Sequence, residues 1–217
     1  MRPLATTFTY YAAFVGLGLI SASLGPTLPA LAEQTHTALR EISFLFATRA
    51  TGYLLGSLLG GRLYDRMRGH PVMAVSLLIM GLGMAAAPLL PLLWSLALVL
   101  LVIGVAEGTL DVGGNALLVW VHRAKVGPFM NALHLFFGMG AFLSPIVIAQ
   151  AMVATGGIRW GYWLLALFTV PVAAWLLRLN SPSYDVAVSE GERKAVPVNW
   201  RIKGLVMLFM CIYVGAE

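Results

Sequence analysis

Cysteine is nearly missing: Cys211 stands alone in 217 residues, which excludes an internal disulfide framework and any multi-cysteine metal site. Charge is scarce as well. Asp, Glu, Lys and Arg make up 11% of the chain, against about 25% in soluble domains, while hydrophobic residues reach 59% and mean hydropathy is +0.85. That balance excludes a soluble domain. No ten-residue stretch alternates apolar with polar positions, so an outer-membrane barrel is excluded too. The N-terminus, MRPLATTFTYYAAFVGLGLI, has no short apolar core followed by a clear cleavage site, and it reads as a retained first span. No metal-ligand cluster, no nucleophile beside a base and no phosphate loop stands out, which argues against an enzyme and against a resident cofactor.

What is present is a series of apolar runs of helical length. Six spans are expected at about residues 7–32, 42–64, 71–91, 93–120, 128–154 and 158–178. The stretch NSPSYDVAVSEGERKAVPVN, residues 180–199, is polar and contains prolines, and it reads as a linker. A seventh span begins near Gly204, but Gly204 to Ala216 is too short to cross a bilayer. The net charge of +5 reports topology rather than nucleic-acid binding. Arg2, Arg62, Arg66, Arg68, Arg123, Lys125, Arg178, Arg193, Lys194, Arg201 and Lys203 fall on one side, with only Arg40 and Arg159 opposite. The excess of basic residues places the N-terminus and linker in the cytoplasm.

A faint repeat is visible. Sliding the sequence by 86 residues lays Ser21–Leu31 on Glu107–Leu117, matching Leu24 with Leu110, Ala30 with Ala116 and Leu31 with Leu117. A unit of three spans is odd, so two copies must cross the membrane in opposite senses, a three-plus-three inverted repeat of the kind transporters use. Chance similarity between two Gly/Leu-rich helices is the rival explanation.

Polar and small residues inside the spans gather on faces, at ~100° of rotation per residue. The fourth span gathers Gly104, Glu107, Gly108, Asp111 and Asn115; the fifth, Asn131, His134, Gly138, Ala141 and Pro145; the second, Arg49, Gly52, Tyr53, Gly56 and Gly60; the first, Tyr11, Gly18, Ser21, Gly25 and Pro29. Small residues let helix backbones approach. The ionisable ones ask for more: two carboxylates close together in a low dielectric resist joint ionisation, and Arg49 is the one basic residue at bilayer depth. Arg49 paired with Glu107 or Asp111 is either a structural ion pair or part of a site where a proton, sodium ion or polar solute replaces one partner. At the end of the second span, GRLYDRMRGH (Gly61–His70) sets Asp65 among arginines. There Gly61 would permit close helix contact and Asp65 would cap a helix N-terminus. Trp94, Trp120, Trp160, Tyr162 and Trp163 read as an interfacial belt.

The GRLYDRMRG stretch resembles the loop motif of the major facilitator superfamily, with Gly61, Asp65 and Arg66 matching and Arg68 standing where the motif has Gly. Leu24–Phe46, Leu110–Asn115, Asn131–Pro145 and Tyr213–Glu217 together resemble the branch that holds sodium-dependent glucose transporters and fucose permeases. That resemblance implies twelve helices, and a fourth-helix acid, here Asp111, that contacts sugar hydroxyls or takes part in ion coupling. The first span lacks an intramembrane Asp resembling that of fucose permeases, which favours the glucose-transporter-like side.

The expected molecule is therefore an all-α polytopic membrane protein: a six-helix bundle over 1–179, a cytoplasmic linker over 180–199 and the start of a seventh helix over 200–217. The expected function is secondary transport of a sugar or similar polar solute, coupled to H+ or Na+, from the inner or plasma membrane. Its partners would be the lipid bilayer, the solute and a second half or second chain, with no nucleic acid. Asp111, Asn115, Glu107, Asn131, His134 and Arg49 are the candidate binding residues, and Gly61, Asp65 and Arg66 the candidate gate. A non-transporting membrane scaffold or sensor is the alternative.

Overall fold

A computed structural model describes residues 3–182 together with 204 and 205. The expected linker from 183 onward and nearly all of the expected seventh helix lie outside the described residues. The rest is helical: α1 Pro3–Ser21, α2 Leu24–Thr35, α3 Leu39–Ile42, α4 Phe44–Arg66, α5 Gly69–Ala86, α6 Leu93–His122, α7 Val126–Thr155 and α8 Arg159–Arg178. Single 3-10 turns follow α5 and α6, at Ala87–Leu89 and Arg123–Lys125.

Five helical stretches are long and apolar enough to cross a membrane. The longest, Leu93–Thr155, runs 63 residues, about 95 Å as a continuous helix and roughly three times the hydrocarbon core. It is divided at Arg123, whose backbone turns to φ 48, into α6 and α7 of 30 residues each. A non-glycine residue at positive φ away from the left-handed helical well costs about 1–3 kcal/mol. Arg123→Gly is therefore expected to raise stability by about 1 kcal/mol, after subtracting the entropy glycine loses on folding. Arg123→Ala, which keeps the strain, should not. Thermal unfolding of the two variants side by side checks this.

The expected first span is not one helix. It is interrupted at Ala22 and Ser23, between α1 and α2. Pro26 has no N–H for the carbonyl four residues back and its ring crowds that position, so the ladder loosens here. Ser23 Oγ instead donates to the Ile20 carbonyl at 2.7 Å and Thr27 Oγ1 to the Ser23 carbonyl at 2.8 Å. Helix interruptions at membrane depth are tolerated where neighbouring groups re-satisfy the backbone.

The closest packing joins α4 to α6 and α1 to α7, and glycines make both seams. A Cβ on Gly52 or Gly56 would strike the carbonyl oxygens of Leu101 and Val105, and one on Gly104 or Gly108 those of Arg49 and Tyr53. In the other seam Gly18 sits on the Phe137 carbonyl and Gly140 on that of Val15. Lipid tails are as apolar as leucine, so helices in a membrane associate through such close packing rather than through hydrophobic burial. Two of the four glycine contacts of the α4–α6 seam recur in the α1–α7 seam. A shift of 86 carries Val15 to Leu101 and Gly18 to Gly104, while a shift of 88 carries Arg49 to Phe137 and Gly52 to Gly140.

Aromatic placement departs from a simple belt. Trp94 and Trp160 are exposed, but Tyr162 is fully buried and its hydroxyl pairs with Thr27 Oγ1 at 2.8 Å.

Candidate functional site

The run GTLDVGGN lies inside α6, and nearly every residue of it has a partner on another helix. Gly108 meets Tyr53 of α4, Gly113 faces the Tyr64 ring and Gly114 the Phe14 ring of α1. Thr109 Oγ1 donates to the Gly56 carbonyl at 3.3 Å. The glycines are there because aromatic rings and a helix backbone occupy the space a side chain would need.

One turn apart on this helix, Glu107 and Asp111 have separate surroundings. Glu107 is buried at 2% exposure and Arg49 at 9%. Arg49 Nε donates to Glu107 Oε2 at 2.8 Å, its Nη2 pairs with Oε1, and its Nη1 donates to the Ser21 carbonyl at 2.9 Å. Ser21 Oγ completes the ring by donating to Glu107 Oε1 at 3.0 Å. All three guanidinium nitrogens and both carboxylate oxygens are engaged, and the carbonyl that Arg49 takes lies at the α1–α2 interruption. Two charges removed from solvent are costly unless they are paired and hydrogen-bonded, and here each is both.

Asp111 is half-buried and has no cationic partner among the described residues. Tyr53 Oη donates to Oδ2 at 2.6 Å. Asn115 Nδ2 donates to Oδ1 at 3.1 Å and to the Asp111 backbone carbonyl at 2.9 Å. Each carboxylate oxygen thus carries one neutral donor and keeps capacity for another, since an ionised carboxylate accepts about four hydrogen bonds. Tyr53 itself is 38% exposed. The sequence left Arg49 between two carboxylates; the fold assigns it to Glu107.

Asn131 and His134 are exposed on α7. The His134 ring lies edge-on to Phe14, centroids 6.3 Å apart, and Phe14 in turn packs over Gly114 of α6. One phenyl ring therefore links the two polar faces, while no hydrogen bond joins His134 or Asn131 to Asp111 among the described residues.

The loop motif departs from its expected local geometry. Among the described residues, no atom of another helix lies within 4 Å of where a Gly61 Cβ would stand. Asp65 and Arg66 are exposed in the last turn of α4. Asp65 does not cap α5, because that helix has Arg68 at its N-cap with no side-chain hydrogen bond. In a helix C-terminal turn a carboxylate faces the wrong end of the dipole, and Asp65 has no hydrogen bond or ion pair among the described residues.

Sequence reasoning missed several polar contacts that hold the arginine-rich end together. His70 is buried, pairs with Tyr10 Oη at 2.8 Å and sits 3.0 Å from the Leu179 carbonyl. His122 Nε2 pairs with Thr7 Oγ1 at 2.7 Å and stacks on Phe129. Ser21 was within reach, because the 86-residue repeat laid it on Glu107, the residue it bonds.

This is a multi-pass helical membrane protein with a charged and hydrogen-bonded centre shared by three of its helices. The model of the Major Facilitator Superfamily matches residues 8–216, and the chain belongs to that superfamily. Among relatives, "Sodium-dependent glucose transporter 1" of Homo sapiens is 38% identical over 95% of this chain and 47% of its own length. The Danio rerio protein of the same name is 40% identical over 63% of this chain and 23% of its own. "Major facilitator superfamily domain-containing protein 4A" of Mus musculus is 38% identical over 67% and 29%. The chain thus spans less than half the length of these relatives. Family and names agree with the expectation of a transporter rather than an enzyme.

Proposed function

We propose that this chain is the N-terminal half of a secondary transporter for a sugar or similar polar solute, coupled to H+ or Na+ and working by alternating access. The observation that carries the proposal is the contrast between the two acidic residues of α6. Glu107 is charge-paired by Arg49 and bonded by Ser21, whereas Asp111 is held by neutral donors alone, with acceptor capacity left over. A carboxylate so placed suits a sugar hydroxyl or a small cation, and the charge-assisted bond it accepts is about twice as strong as a neutral one. Asn115 and Tyr53 orient it; Asn131 and His134 line the solute path. The sugar and the sodium ion come from the names of the glucose-transporter relatives.

Alternating access needs a second half, supplied by further chain or by a partner, against which this bundle rocks. The matching α1–α7 and α4–α6 seams support a three-plus-three inverted repeat, the arrangement that favours such rocking about a site near the midplane. Gly61, Asp65 and Arg66 would latch onto that second half. The basic excess at one end supports a cytoplasmic N-terminus in a plasma or inner membrane.

Labelled-glucose uptake into proteoliposomes, with and without a sodium gradient, tests this in the complete two-half transporter. Asp111→Asn keeps the shape but loses the charge and one of the two acceptor oxygens, and uptake should fall roughly 10- to 100-fold, as expected for losing a charge-assisted bond of about 1.5–3 kcal/mol. Undiminished, still-coupled uptake would remove Asp111 from the mechanism. A protein that neither transports nor is stabilised by any solute would instead favour the scaffold reading.

A further inference from the structure

A second concavity lies away from the polar site. It is an apolar groove of about 310 Å³ between α4, α5 and α6, lined by Leu63 and Met67, then Val72 and Val75, then Val102 and Ala106. Met67, Val75 and Val102 are exposed on its walls. From Pro71 to Ile79 along α5 it extends about 12 Å, within the ~15 Å of hydrocarbon that one leaflet provides. One end of the groove is charged. Leu63 and Met67 alternate with Arg62, Arg66 and Arg68, all exposed and without a salt bridge or hydrogen bond among the described residues. On the α4 wheel Arg66 stands ~60° and Arg62 ~100° from Leu63, whereas Asp65 stands ~160° from it, so the carboxylate is turned farther from the groove than either arginine.

We propose that this groove holds one acyl chain of an anionic phospholipid whose phosphate is bound by Arg62, Arg66 and Arg68. The apolar trough and the cationic end are complementary to the two parts of such a lipid and lie one helical turn apart. Arginine suits the head because its planar fork binds phosphate oxygens in pairs. A zwitterionic lipid with the same chains fits the trough equally but gains less at the cationic end. The site shares Arg66 with the proposed latch, but lipid retention is read without solute transport, so the two proposals fail separately.

The test is native mass spectrometry of the detergent-purified 217-residue chain with phosphatidylglycerol and phosphatidylcholine of identical acyl chains. The wild type should retain phosphatidylglycerol preferentially. Replacing the three arginines with glutamine should erase the preference, at roughly fivefold per arginine. Val75→Phe, at an exposed wall position where a larger side chain does not overpack the core, should release the lipid while leaving every charge in place. Circular dichroism and elution volume establish that both variants are folded. Equal retention of the two lipids by the wild type overturns the proposal, as does a preference that survives loss of the arginines. Undiminished phosphatidylglycerol binding by a folded Val75→Phe also overturns it, since the head would then bind without the trough. No lipid retained at all leaves the groove to another part of the chain or a second copy and likewise overturns it.

Discussion

Arg49→Met is expected to destabilise the bundle by about 3–5 kcal/mol, the usual cost of leaving one member of a buried ion pair without the other. Glu107 would remain 2% exposed with only the Ser21 hydroxyl as donor, and the Ser21 carbonyl at the α1–α2 interruption would lose its Arg49 donor as well. Glu107→Leu should cost a similar amount, for the mirror reason. The double variant Arg49→Met, Glu107→Leu should recover most of the loss, because apolar groups of similar volume often replace a buried pair at little or no cost. Unfolding of the four proteins in one detergent yields the coupling energy directly. Two losses that simply add would show that the pair is not a unit, and the separation of Glu107 from Asp111 would lose its basis.

Gly56→Leu should cost about 3 kcal/mol or more. Overpacking a filled site usually costs 1–3 kcal/mol even when side chains can move aside, and here the first atom added meets the Val105 carbonyl, which is backbone. The α4–α6 seam would have to open along its length, since Gly52, Gly104 and Gly108 interlock above and below. Because Tyr53 is on α4 and Asp111 on α6, the same opening should break their 2.6 Å hydrogen bond and disturb any solute site built on it. Gly127→Ala, with nothing among the described residues within 4 Å of the added methyl, should change stability by no more than about 0.5 kcal/mol. Comparable losses in both variants would mean that the seam is not held by close approach.

Much of the architecture was legible because the bilayer restricts what a sequence can do. Apolar runs of about 20 residues have one outcome, a helix, since no other open segment satisfies its backbone in hydrocarbon. The ends of α4 to α8 accordingly fall close to the expected spans. The first span misled because Pro26 and Pro29 leave it apolar on average, yet Pro26 disturbs the hydrogen-bond ladder that hydropathy does not see. Tyr162 misled in the same way. It is near a span end, where aromatics gather at the interface, but Thr27 lies across from it in the core and satisfies its hydroxyl.

The polar residues show where sequence reasoning stops. Helical spacing alone put Glu107 and Asp111 on one face of α6, put Arg49 and Tyr53 on one face of α4, and marked all four as unfit for lipid. The pairing across the seam rests on register: how far α4 is slid along α6. That is decided by which glycine lies under which carbonyl, a tertiary fact with no signature in either helix. Once Gly52 sits on Leu101 and Gly104 on Arg49, the arginine reaches Glu107 and the tyrosine reaches Asp111. The sequence by itself determined the helices, their polar faces and the residues that needed partners, because those follow from the cost of polar groups in hydrocarbon. Only the tertiary structure decided which partner each received, because a one-turn slide of a helix changes every contact across a seam while leaving its own periodicity untouched.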